Sequence, residues 1–135
     1  MTPKKIKTIA VEKSDYKVYL KKAKDLHDIM ISARDSENWT AVGLNAVHCA
    51  ISCCDTMLTF HLGIRSAEED HTQAADLLLR VPRENVKSAA SSFKRIIAKK
   101  NLIAHENREF YKGDADDILK ITERFYKWVY SSLQD

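Results

Sequence analysis

The chain has 135 residues, 44% hydrophobic and 30% charged, with a formal net charge of only +3. That length suits one domain with a single core, and that composition excludes a disordered chain. Three scattered glycines and two prolines exclude Gly-rich phosphate loops of the Rossmann or P-loop kind and the many turns of a β-sandwich.

The small net charge leaves any nucleic-acid binding to local clusters of Lys and Arg. The opening MTPKKIKTIAVEKSDY is polar and has no signal-peptide apolar run. No stretch is read as reaching the roughly 20 apolar residues that span a bilayer. The expectation is a cytoplasmic protein without a membrane partner, with residues 1–13 a basic leader and 14–135 one helical domain.

Ser14 and Asp15 offer N-cap oxygens for a first helix. Tyr16, Tyr19, Leu20, Ala23, Leu26, Ile29, Met30 and Ala33 recur at three- and four-residue steps, one apolar stripe ending near Ser36. Asn38 caps a second helix, expected from Trp39 to Leu62 and stopped by Gly63. Its small residues, among them Ala41, Gly43, Ala46, Cys49, Ala50 and Cys53, predict close approach of neighbours on more than one side.

A connector and a short helix, Thr72 to Leu79, follow before Pro82 breaks the chain. A third long helix is predicted from Glu84 to Asn107, with Val86, Ala89, Ala90, Phe93, Ile96, Ile97, Ile103 and Ala104 inward. Tyr111, Lys112 and Gly113 read as a turn and Asp114 as the cap of a last helix, whose apolar face is Ile118, Ile121, Phe125, Trp128, Val129 and Leu133. No segment alternates like a strand. The fold class is therefore all-α, an antiparallel up-and-down four-helix bundle with an additional short helix between the second and third long helices.

Four constellations are weighed for chemistry. Cys49, Cys53 and nearby His48 could begin a zinc site, but a fourth ligand is lacking and cysteine is also a common small core residue. No metal and no cofactor are expected, and the thiols, too close in sequence to cross-link distant elements, are expected to be free. The acidic run at Asp114, Asp116 and Asp117 lacks the glycine and glutamate of a calcium loop. Asp55 falls in the most apolar helix, where it either points outward or is tied to His71 as a structural polar pair.

The stretch AKKNLIAHENR is the fourth. On one helix Asn101 and His105 share a face, whereas Lys100 stands five residues before His105, about 140° round. Lys100, Asn101 and His105 could converge on a phosphate, with a histidine moving the proton of a 2′-hydroxyl and a cation stabilising the charge on phosphorus. Lys94, Lys99 and Arg108 are candidate nucleic-acid contacts beside them. From periodicity alone, the pattern better fits a core helix with a solvated edge.

The segments AVHCAISCCDTMLTFHLGIRSAEEDHTQAADLLLR and KKNLIAHENREFYKGDADDILKITERFYKWV together resemble the HEPN (higher eukaryotes and prokaryotes nucleotide-binding) domain family. The resemblance runs from about Trp39 to Leu133. It implies a bundle of four to five helices. It also implies a link to metal-independent endoribonucleases, often toxins or defence effectors, that act as homodimers.

The family signature is an arginine, four to six residues, then a histidine. Lys100 to His105 keeps the spacing, the polar follower Asn101 and the histidine, with lysine in the arginine's place. Lysine keeps the charge and loses the planar fork that grips a phosphate. Asn107 stands where toxins paired with nucleotidyltransferase antitoxins usually carry tyrosine.

The resemblance thus implies a degenerate RNA- or nucleotide-binding member, with a cognate antitoxin or nucleotidyltransferase as a possible partner. The alternatives are an active endoribonuclease toxin and a non-catalytic protein-interaction bundle.

Overall fold

Local capping chemistry accounts for the sharpest helix boundaries in the chain. The computed structural model describes residues 5–68, 70–104 and 106–134. A single 3-10 turn, Lys13–Asp15, leads into α1 (Tyr16–Asp35). Asp15 occupies the N-cap position there, but its side chain accepts no capping hydrogen bond.

The second helix, α2 (Trp39–Leu62), begins at Asn38, whose side chain accepts a hydrogen bond from the Ala41 N–H at 3.3 Å. It ends at Gly63, which adopts a left-handed φ of 64° that few other residues tolerate. Both ends fall where the sequence places them.

α2 is the spine of the molecule. It buries Ala46, Val47, Cys49, Ala50, Cys53, Cys54, Met57 and Leu58 among its neighbours. Contrary to the hydropathy expectation, this one helix is long and apolar enough to cross a membrane by length and composition. Its 18-residue apolar window is 61% buried by the rest of the chain.

The all-α class holds, with one correction. Thr8–Ala10 forms a strand, β1, that pairs antiparallel with β2 (Ile64–Ser66), Ile9 opposite Arg65. Flanking bonds extend the pairing, from Val11 N–H to Gly63 C=O at 3.0 Å and from Ala67 N–H to Lys7 C=O at 2.9 Å. Three-residue strands are too short to alternate visibly, so no periodic signal announces them.

α3 (Thr72–Leu78) follows, and α4 (Val86–Ala98) begins at Asn85, itself in a left-handed φ of 65°. The long third helix predicted to reach Asn107 is interrupted. The Lys99 N–H bonds Ile96 C=O at 3.1 Å, a tightened i→i−3 turn, and a short helix, α5 (Lys100–Ala104), starts at the next residue.

α6 (Lys112–Ser131) also differs at its start. Asp114 is not the cap but the third helical residue, reaching back to accept the Tyr111 N–H at 2.9 Å. On the inner faces of α4 and α6, Phe93 and Phe125 pack with ring centroids 5.6 Å apart. His27 of α1 adds a polar tie, its Nε2 lying 2.8 Å from the Glu123 carboxylate while its ring stacks on Tyr126 at 4.3 Å.

Candidate functional site

Of the candidate phosphate residues, Lys100 and Asn101 ride on α5, and a glycine lies where α5 meets the spine. A Cβ built on Gly43 would lie 2.8 Å from both Ile103 Cδ1 and Phe110 Cε1, inside any tolerable contact. With a glycine at 43, Ile103 and the buried Phe110 lie this close to α2, and a larger residue there would require their side chains to shift. Leu102 and Ile103 are the partly buried apolar anchors, and none of the residues from Lys100 to Ala104 is fully buried. Lys100 and Asn101 are left exposed, and His105 lies outside the described residues.

The break at Lys99 alters the angular relation assumed for one continuous helix. Lys100 opens a new helix, so its direction is no longer set by the phase of α4. Its surroundings are informative. His71, at the start of α3, titrates below the ordinary histidine value because burial disfavours its charged form. The nearby positive charge of Lys100 adds to that effect, Asp70 opposes it, and His48 of α2 contributes in the same direction as Lys100. Lys100 and His48 are therefore both electrostatic neighbours of His71.

His71 also lines a cavity of about 180 Å³ with Asp55, Cys54, Arg65, Glu68 and Phe93. Burial pushes the Asp55 carboxyl up to about 6, against the opposing charges of Arg65 and Lys22. The sequence reading paired Asp55 with His71. They share this cavity, but among the described residues no hydrogen bond joins them.

The charge that matters most at Asp55 is Arg65, a residue the sequence reading passed over. Arg65 Nη1 donates to Tyr19 Oη at 3.1 Å, its guanidinium lies 5.2 Å from the Tyr19 ring centroid, and its buried Nε has no partner. The available signal was an arginine two residues after a helix-stopping glycine, following the helix that holds a lone acid.

The remaining candidates are spoken for or stand elsewhere. Lys94 Nζ pairs with Asp76 at 3.6 Å, tying α4 to α3. Arg108 holds Asp114 at 3.1 Å and also donates to the Glu109 carbonyl. That contact, with the Tyr111 N–H behind it, keeps the Asp114 carboxyl below its usual range. Arg108 thus fastens the start of α6 and does not point a free fork at a ligand. Lys99, at the helix junction, faces a groove between α4 and α6.

The cysteines are packing groups. Cys49 Sγ donates to the Ala23 carbonyl at 3.4 Å, and Cys54 Sγ points to the Ala74 carbonyl at 3.9 Å. The Cys49 hydrogen bond and burial push the Cys53 thiol well up, and burial does the same for Cys54, so neither offers a ready thiolate. His48 is exposed while Cys49 and Cys53 are buried, and among the described residues no three His, Cys, Asp or Glu side chains gather as a metal site.

Comparison of the chain with protein-family models, curated proteins and solved structures returns no match.

Proposed function

We propose that this chain is a HEPN-like domain, an antiparallel four-helix bundle that acts as a cytoplasmic homodimer and binds RNA or a nucleotide through Lys100, Asn101 and His105. The observation that carries the reading is the environment of Lys100. It is an exposed cation without an ion-pair partner among the described residues, and its charge reaches the half-buried His71 beside a polar cavity. An unpaired cation next to a histidine, His71, whose charged form burial disfavours suits a phosphate oxygen and a hydroxyl proton.

The lysine in place of the family's arginine favours binding over catalysis, because a single ammonium cannot hold two phosphate oxygens in a fixed plane. A toxin–antitoxin or defence setting is the context that the resemblance implies.

The test is incubation of RNA with the protein in excess EDTA, comparing the native chain with His105→Ala, Lys100→Arg and the double variant. Salt-sensitive RNA binding without cleavage supports the binding reading. Cleavage that Lys100→Arg raises about tenfold to a hundredfold, and that His105→Ala abolishes, would establish the endoribonuclease instead. Absence of both binding and cleavage at low salt would refute the proposal. Sedimentation showing only monomer at high micromolar concentration would remove the dimer.

A further inference from the structure

A second site stands apart from Lys100, in the groove between α4 and α6. Arg95 of α4 and Lys99 at its C-cap face Lys120 and Arg124 of α6 across a concavity of about 320 Å³. Lys120 and Arg124, four residues apart on α6, share one face, and Lys99 stands four residues after Arg95 at the end of α4. One carboxylate, Asp117, lines the same concavity, and among the described residues none of the four cations is in an ion pair.

Four like charges around one hollow repel one another, and a single acid cannot neutralise them. Such a cluster is relieved by an anion of high charge density. Three of its members, Arg95, Lys120 and Arg124, are exposed and could reach a ligand without leaving a packed position.

The concavity does not end at the cations. Arg124 also lines an adjoining hollow of about 200 Å³, with Ser88, Ser92, Phe125 and Trp128 around it. Trp128 is fixed there, since its Nε1 donates to the Glu84 carbonyl at 2.9 Å and its ring stacks on Phe125 with centroids 6.0 Å apart. A cationic end and an aromatic, hydroxyl-bearing end share one arginine. That arrangement suits a charged chain of phosphates carrying an apolar, planar head group.

From this juxtaposition we infer that the α4/α6 groove binds an oligophosphate chain, with Arg95, Lys99, Lys120 and Arg124 as its phosphate contacts. The chain could belong to a nucleoside triphosphate or be free inorganic oligophosphate. The adjoining Trp128 hollow would distinguish these, since only the nucleotide fills it. This inference is independent of the Lys100 reading, because Lys100 does not line the groove.

The chain has two tryptophans, and Trp39 lies elsewhere, beside Glu109 and Phe110. Trp39→Phe therefore leaves Trp128 as the sole tryptophan, read by selective tryptophan excitation. ATP and inorganic tripolyphosphate would be titrated at low ionic strength, by calorimetry for both and by Trp128 emission for ATP. Both are expected to bind. Tighter binding of ATP with a change in Trp128 emission assigns the nucleotide, and equal binding without that change assigns the free oligophosphate.

Arg124→Ala and, separately, Lys120→Ala should each weaken binding about tenfold to a hundredfold, the loss of one charge-assisted contact. Lys17→Ala, which removes one charge from exposed α1 surface, should change affinity less than twofold. The inference fails if neither ligand binds. It fails equally if neither groove variant matters, or if Lys17→Ala weakens binding as much as they do. Binding of an RNA oligonucleotide through these cations, with neither phosphate compound bound, would also overturn it in favour of a nucleic-acid track.

Discussion

The helices α2 and α5 meet at Gly43, yet they are held in opposite ways. α2 has thirteen buried residues and a defined cap at each end. α5 has no fully buried residue, follows a tightened turn at Lys99, and rests on Leu102 and Ile103. The first is a core element whose position many contacts over-determine. The second is attached at its margin, where opening locally costs little. Candidate chemistry sits on the loosely attached helix, and its placement depends on one glycine of the rigid one.

The largest expected effect breaks the comparison if it is absent. Leu58 of α2 is completely buried, so Leu58→Ala should cost about 2–5 kcal/mol in denaturant unfolding. Ile103→Ala on α5 should cost distinctly less and should show mainly as faster amide exchange between residues 100 and 104. Equal global costs would mean that α5 belongs to the cooperative core.

Asp55 offers the next effect. Its carboxyl titrates at about 6 in place of 3.8, so the folded state holds the proton more tightly than the unfolded chain. The stability this proton supports is fully present below about pH 3.8 and is lost as pH rises through 6. Asp55→Asn should match the native chain near pH 3.5 and exceed it above pH 7, by at most about 3 kcal/mol for a shift of some two pH units. Thermal melts across that range check it. A native chain whose stability relative to the variant rises with pH would show that Arg65 and Lys22 outweigh burial.

Gly43→Ala sharpens the contact between the two helices. A methyl 2.8 Å from Ile103 and Phe110 must push α5 or Phe110 away, at about 1–3 kcal/mol for overpacking. Amide exchange should rise at residues 100–104 and 110 while the α2 interior stays protected. Lys100-dependent RNA binding should weaken in the same variant if α5 is the binding element.

The smallest effect is at the surface. Arg108 and Asp114 form an exposed pair, and such pairs contribute little in water. Arg108→Ala should leave the melting temperature unchanged within error. Loss of RNA binding in Arg108→Ala at unchanged melting would restore this residue to the phosphate site despite its ion pair.

Much of the helical layout was readable before any coordinates. α2 runs from Trp39 to Leu62 as expected because an Asn cap and a glycine stop act on backbone groups a few residues away. α3 ends one residue short of its expected end, at Leu78. The apolar stripe of α1 was only half right. Ala23, Met30 and Ala33 are buried, whereas Ile29 is half exposed, since neighbours cover a narrower strip than the periodicity offers. The candidate site was legible as residue types and not as an arrangement.

By itself the sequence determined what depends on near neighbours along the chain, namely the all-α class, the helix ends with good caps, and the small-residue character of α2. Only the tertiary structure decided what depends on residues far apart. It paired Thr8–Ala10 with Ile64–Ser66, set Arg65 and Lys22 around Asp55, and brought the charge of Lys100 to His71. It also laid Ile103 and Phe110 on Gly43 and faced Arg95 and Lys99 with Lys120 and Arg124. A cap or a stripe is written in steps of three and four residues, whereas electrostatic neighbours and close contacts follow from how whole helices pack.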